Sequence, residues 1–371
     1  AAYLMILLLV LKPAAVWAAE DQKQEETEVP EESRTQEDRE LNQVAAEVSA
    51  PHALLMEVST GTVLMEKAAD EKVHPASVTK IMTLLLILEA LEDGKIALSD
   101  MVTVSEHAAS MGGSQVYLEP YEKQTVETLL KCIAVASAND ACVAMAEHIS
   151  GSEGDFVKQM NARAEELGMS NSHFVNCCGL DAEEHLTTAR DVALMSRELL
   201  RNHPQIHEYC TIWMENITHT TSKGSSEFGL TNTNKLIRQY EYATGLKTGS
   251  TGKAKFCVSA TAEKNGVSLI AVIMGAEDSK ARFKDAVTLL NYGFGKCQMY
   301  TDENMPSLDP ISVTGGIQES ISLEYEKKFT YLDTTGANLN AVTSRLQIPD
   351  KVNAPVKKGD TVGQRIYYLD E

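Results

Sequence analysis

The chain predicts an α+β fold: an antiparallel sheet flanked by helices, followed by a small all-β domain. Two strong hairpin patterns lie far apart in the sequence, with helical periodicity between them. Beyond Cys297 the pattern changes to short strand-like runs joined by Gly, Asp and Pro turns. A length of 371 residues with 43% hydrophobic content suffices for two separate cores.

Residues 1–19, AAYLMILLLVLKPAAVWAA, join an apolar run to small residues, the pattern of a secretory signal peptide cleaved after Ala18 or Ala19. An uncleaved anchor is the alternative, and in both cases the remainder is expected outside the cytoplasm. Residues 20–49 are expected to form an acidic disordered linker. The stretch 20–47 carries eleven acids against three bases, and too little apolar surface to order itself. The net charge of −20 excludes phosphate-rich partners, so no nucleic acid is expected.

The main domain is expected over 50–300. ALLMEV and TVLMEK flank Ser59-Thr60-Gly61 as the first hairpin. HPASVTKIMTLLLILEAL (74–91) is apolar on nearly every face from Ile81 to Leu88, which predicts a helix buried all round. TVETLLKCIAVA (125–136) has helical spacing at Leu129, Ile133 and Ala136. ACVAMAEHI begins a second helix after Asn139-Asp140, whose side chains suit an N-cap. In TTARDVALMSRELL, Thr188 and Asp191 have capping-box spacing. KFCVSATA and VSLIAVIMG surround Lys264-Asn265-Gly266 as the second hairpin. ARFKDAVTLLNYGF then places Phe283, Ala286, Val287 and Leu290 on one helix face. The β-rich domain is expected over 305–371, with the natural protein continuing past its last strand.

Seven cysteines, including the adjacent Cys177-Cys178, show no CxxC or zinc spacing, so neither a disulfide framework nor a metal site is expected. Cys132 and Cys142 read as small core residues. His203 and His207 read as surface residues, separated by Pro204 and lacking a third ligand.

The mouth of the 74–91 helix carries chemistry. Ser77 and Lys80, three positions apart, share a face and come within hydrogen-bond reach. Burial disfavours the ammonium form of such a lysine, which leaves a general base beside a nucleophile. The helix N-terminus adds backbone N–H donors for an oxyanion. Alone, this pair reads more simply as a cap and a snorkelling lysine.

Ser137-Ala138-Asn139 lies 60 residues after Ser77, and Lys247-Thr248-Gly249 precedes the second hairpin. The set resembles Ser-x-x-Lys, Ser-x-Asn and Lys-Thr-Gly of the penicillin-recognising serine enzymes, in the same order and contexts. The phrases HPASVTKIMT, ASANDACVAMAEHISGSEGDFVKQMNARAEELGMSNSHFVN, TNTNKLI and GLKTGSTGKA are similar to those of the D-alanyl-D-alanine carboxypeptidases, the low-molecular-weight penicillin-binding proteins of peptidase family S11. The likeness covers roughly residues 50 to 300, and the β-rich segment resembles that family's second domain.

The resemblance implies a penicillin-binding protein/β-lactamase-like fold and removal of the terminal D-alanine from peptidoglycan stem pentapeptides. It implies no cofactor and inhibition by β-lactams. Ser77 would be the acylated nucleophile, Lys80 its base and Ser137 a proton relay. Asn139 would bind the substrate amide, while Lys247 and Thr248 would bind its terminal carboxylate. Gly249 would let a peptide lie along the strand, and the N–H groups of Ser77 and Ser250 would form the oxyanion hole. Arg282 falls where the family has an arginine near the carboxylate site. Many relatives carry His where this chain has Ser250. The stretch CCGLDAEEH resembles the family's loop near the active site, which would let Asp181 and His185 touch the cleft, although a solvated turn is the simpler reading for both. Relatives often add a C-terminal amphipathic anchor, so peripheral membrane association is open.

Two other functions compete. A serine β-lactamase needs a second base in a Glu-x-x-Leu-Asn loop, and Glu165 and Glu166 sit in a helical pattern instead. A non-catalytic wall-binding protein would not need both Ser77 and Lys80.

Overall fold

The computed structural model describes residues 43–45 and 47–369. The expected signal at 1–19 and most of the expected linker lie outside the described residues. The end of that linker is held rather than disordered. Val48 is buried and its carbonyl accepts from Lys67 Nζ at 2.7 Å, while Ser49 Oγ donates to Asp285 Oδ2 at 2.9 Å. The acidic run ends at Glu47, and Val48 and Ala50 supply apolar surface to bury.

The chain forms two units, divided between Gly295 and Lys296. The boundary expected at 305 is too late, because Gln298–Thr301 already pairs with Thr330–Asp333 in the second unit.

The first unit is built on a five-stranded antiparallel sheet. Its spatial order is Val63–Lys67, His52–Glu57, Val267–Ala276, Lys255–Lys264, Ala243–Thr251. The two predicted hairpins meet where Leu55 pairs with Ala271, so distant segments close one sheet. Asn265-Gly266 turns the second hairpin with positive φ at both residues (52° and 78°), as a two-residue type I′ loop requires. Ala243–Thr251 is left at the sheet edge.

Helices Lys80–Glu92, Val126–Ala136, Asn139–Ser150, Glu153–Glu166, Ala189–Asn202 and Ser279–Lys296 cover the sheet. Every residue from Lys80 to Leu88 is buried, as the all-round apolar pattern predicts. Seven large apolar side chains in this stretch contribute on the order of 10 kcal/mol by burial. The helix is a fixed pillar.

Ala138, not Asn139-Asp140, is the N-cap of Asn139–Ser150. The two polar side chains turn elsewhere: Asp140 Oδ2 accepts from the N–H groups of Val116 and Leu118, each at 3.1 Å. Thr188 does cap its helix, accepting from Asp191 N at 3.0 Å. The Asp191 carboxylate accepts from Ser172 Oγ at 2.7 Å, so the reciprocal half of the capping box is diverted. Phe283, Ala286 and Leu290 face the core as spaced, with Val287 half-buried.

Cys132 and Cys142 are fully buried core residues. His203 is buried too, contrary to its surface reading, because it closes the end of Ala189–Asn202 with Nδ1 3.6 Å from a Glu92 carboxylate oxygen.

The second unit, from Lys296, is all β apart from one short 3-10 turn. Thr343–Gln347 pairs with Gln364–Tyr368, and Ile311–Thr314 pairs with Ser320–Ile321 and Lys351–Asn353. The rings of Phe329 and Tyr367 stack at 3.8 Å. No helix among the described residues is long and apolar enough to cross a membrane.

Candidate active site

A 3-10 turn, Ala76–Thr79, leads into the buried helix at Lys80. Residues i and i+3 eclipse in such a turn, which sets the Lys80 side chain over Ser77. Lys80 Nζ lies 2.9 Å from Ser77 Oγ. Ser77 is half-buried while its neighbours on both sides are buried, so the turn opens outward at this residue.

The Lys80 amine also donates to Asn139 Oδ1 at 2.7 Å and to the Cys178 carbonyl at 2.6 Å. Three acceptors match the three protons of an ammonium. The expectation of a neutral Lys80 therefore meets a hydrogen-bond set built for the charged form, in which buried acceptors replace lost water.

Ser137 ends the helix Val126–Ala136 with φ 61° and ψ 34°, a left-handed conformation uncommon for serine. Its Oγ is buried without a hydrogen-bond partner. Two residues on, Asn139 is pinned at both ends: its Nδ2 donates to the Gly112 carbonyl and its N–H to the Ser114 carbonyl, each at 2.7 Å.

The edge strand forms the facing wall. Lys247 is fully buried, and its amine donates to the Thr248 carbonyl at 3.1 Å. Burial, followed by the charge of Lys80, pushes this amine down to about 7. Thr248 Oγ1 donates to Thr233 Oγ1 at 2.7 Å.

Gly249 has a use beyond the one expected. A Cβ there would lie 2.9 Å from Ser77 N and 3.0 Å from the Pro75 carbonyl oxygen, so its bare face lets the strand touch the serine turn. Ser250 is exposed at the strand's end. Arg282 Nη1 donates to the carbonyls of Gly249 (2.9 Å) and Cys257 (3.3 Å), with its guanidinium 4.7 Å above the Phe283 ring. Desolvation lowers its pKa to about 10. Arg282 thus braces the strand through its main chain.

Ser77, Lys80, Ser137, Asn139, Lys247, Thr248, Gly249, Ser250 and Arg282 are therefore assembled around one turn. Sequence reasoning placed the segment 176–185 near the site but missed the contacts by which it supports it. The Cys177 carbonyl accepts from Thr83 Oγ1 at 2.5 Å, one turn along the helix from Lys80. Gly179 has φ 87°, and a Cβ there would overlap the Ala76 carbonyl.

His185 is buried, which corrects its placement in a solvated turn. Val175 N donates to Nδ1 at 3.0 Å, so Nε2–H donates to Thr79 Oγ1 at 2.8 Å. Desolvation pushes His185 down to about 4 and keeps it neutral. Asp181 is exposed but engaged, accepting from Thr251 Oγ1 at 2.7 Å. Glu165 and Glu166 lie in the helix Glu153–Glu166, and Glu166 pairs with Arg163 at 3.0 Å. Among the described residues, no three His, Cys, Asp or Glu side chains cluster as metal ligands.

Known proteins resemble this chain over most of its length. The profile of D-alanyl-D-alanine carboxypeptidases, peptidase family S11, matches residues 38–278, and that of the penicillin-binding protein 5 C-terminal domain matches 298–371. The D-alanyl-D-alanine carboxypeptidase DacF of Bacillus subtilis is 42% identical over 322 residues, covering 86% of this chain and 82% of DacF. DacC of Escherichia coli is 33% identical over 335 residues, covering 88% and 82%. Penicillin binding protein 5 from Haemophilus influenzae superposes with a TM-score of 0.68 at 29% identity, covering 87% of this chain and 93% of that one. The chain belongs to the D-alanyl-D-alanine carboxypeptidases of peptidase family S11 and is an enzyme of that class.

Proposed function

We propose that this enzyme removes the terminal D-alanine of peptidoglycan stem pentapeptides through an acyl-enzyme on Ser77, and that penicillin acylates the same serine. The 2.9 Å contact between Ser77 Oγ and Lys80 Nζ carries this reading, because it joins the one outward hydroxyl of the turn to a buried amine. The work is done outside the cytoplasm, where stem peptides are found.

The proton inventory sets the order of events. Lys80, ringed by three acceptors, holds a proton in the free enzyme and must lose it to act as a base. Lys247, at about 7, is the nearby amine able to take it, and the unpartnered Ser137 hydroxyl is the relay. An incoming terminal carboxylate favours charge on Lys247 and so draws the proton from Lys80.

Ser77 Oγ then attacks the penultimate D-alanine carbonyl as its proton passes to Lys80. The oxyanion is met by the N–H groups of Ser77 and Ser250. The C–N bond breaks, and the leaving amine takes the Ser77 proton from Lys80 through Ser137, which leaves Lys80 neutral for the next step. Water next attacks the ester, giving a proton to Lys80, which returns it to Ser77 Oγ as the acid departs.

The β-lactamase alternative needs a second base in a Glu-x-x-Leu-Asn loop, whereas Glu165 and Glu166 lie in the helix Glu153–Glu166, where Glu166 pairs with Arg163. The penicilloyl-enzyme is therefore expected to be long-lived. The test is D-alanine release from a pentapeptide ending in D-alanyl-D-alanine, with Ser77→Ala as control. Release that persists in the mutant refutes the mechanism, and a folded wild type with neither release nor a penicillin adduct favours a wall-binding role.

A further inference from the structure

The segment Asn176–Asp181 touches every wall of the site within six residues. Asn176 Oδ1 accepts from the N–H groups of Cys178 (3.3 Å), Gly179 (2.7 Å) and Leu180 (3.1 Å), which curls the segment into a rigid strap. Its carbonyls at Cys177 and Cys178 hold Thr83 and Lys80. Gly179 presses on the Ala76 carbonyl, and the Leu180 side chain approaches Gly113, the neighbour of the carbonyl that Asn139 holds. At its end, Asp181 Oδ1 accepts from Thr251 Oγ1 at 2.7 Å and Oδ2 from Lys253 N at 3.3 Å.

Thr251 is the last residue of the edge strand and follows Ser250 directly. An edge strand has a ladder on one side only, where Thr251 pairs with Lys255. Besides that ladder, the strand's end is tied by Asp181. The strap therefore runs from the amine of Lys80 to the strand end beside Ser250.

We propose that Asp181 is a positioning residue for the reaction: it latches the end of the edge strand to the strap and so fixes the Ser250 N–H relative to Ser77. The inference rests on the acylation of Ser77 proposed above. Asp181 touches no substrate in this role. Its effect is on geometry, where a displacement of about 1 Å costs up to about a hundredfold in rate.

The experiment measures the second-order rate of acylation by a fluorescent penicillin, together with the thermal midpoint, for wild type, Asp181→Ala, Asp181→Asn, Thr251→Val and the double variant Asp181→Ala/Thr251→Val. Asp181 is exposed, so the midpoint should hold. Acylation should fall about tenfold in Asp181→Ala and in Thr251→Val, and about tenfold rather than a hundredfold in the double variant, because the bond between the two side chains, which both changes break, is the one that sets the rate. Asp181→Asn keeps an oxygen for Thr251 Oγ1 and should recover most of the rate.

Acylation by Asp181→Ala within twofold of wild type overturns the latch, as do additive losses in the double variant or losses that track a falling midpoint. A wild type that takes no penicillin instead defeats the acylation proposal itself, which keeps the two failures apart.

Discussion

Replacing Lys247 with methionine removes a buried amine and keeps a straight chain of similar reach. The amine is fully buried and pushed from 10.5 to about 7, first by desolvation and then by Lys80. Between those two values the unfolded chain binds a proton that the folded chain lacks. Stability therefore rises with pH across the window and levels off below about 7. At about 1.4 kcal/mol per pH unit, going from about pH 7 to about pH 9 should give the wild type about 3 kcal/mol that Lys247→Met cannot gain.

Urea unfolding of both proteins at the two pH values reads this directly. The variant should be the more stable at pH 7, since it no longer buries an ammonium, and its advantage should shrink by about 3 kcal/mol at pH 9. An advantage that stays constant, or widens, refutes a depressed Lys247. D-alanine release should be lost in the variant at both pH values, because methionine neither meets the carboxylate nor carries a proton.

Three further changes test the support of the site. Gly179→Ala places a Cβ into the Ala76 carbonyl at a backbone φ of 87°, so both penicillin acylation and the thermal midpoint should fall together. His185 has its pKa lowered from 6.5 to about 4, so the wild type should lose stability as pH drops through that window, by up to about 3 kcal/mol. His185→Gln should lack this acid limb in unfolding curves at about pH 7 and about pH 4.5, and an identical limb in both proteins would assign it elsewhere. Arg282→Lys removes the planar donor that spans the Gly249 and Cys257 carbonyls, so acylation should slow about tenfold while the Ser77–Lys80 pair stays intact.

Much of the site was legible because its chemistry is compressed into short motifs. Ser77 and Lys80 are three residues apart, Ser137 and Asn139 two, and Lys247 to Ser250 are consecutive. The all-round apolar run behind Lys80 announced a buried helix, and Asn265-Gly266 announced its hairpin, since both are set by local sequence. What stayed hidden depends on contacts between distant segments. Nothing in CCGLDAEEH marks two of its carbonyls as partners of Thr83 and Lys80, because backbone carbonyls carry no residue-type signal. His185 looked solvated among Glu183 and Glu184, yet the chain turns it inward onto Thr79. Gly249 was expected to let a peptide lie along the strand, and nothing in its motif announces that its bare face also meets the serine turn.

The two lysines show why burial alone does not decide protonation. Both are buried, yet Lys80 has acceptors from three separate segments, at Ser77, Asn139 and Cys178, whereas the Lys247 contact is the carbonyl of its own neighbour. Buried acceptors replace lost water at the first, while desolvation is left standing at the second. On the mechanism proposed above, the free site keeps its proton on the amine beside the nucleophile, where it blocks attack. A substrate carboxylate at Lys247 supplies the compensation that the protein withholds there, and moves the proton away from Lys80. On this proposal a ligand without a carboxylate leaves Lys80 charged and Ser77 idle. Stem peptides whose terminal carboxylate is amidated should then lose kcat as well as affinity, and a loss confined to KM would show that the carboxylate serves for binding alone.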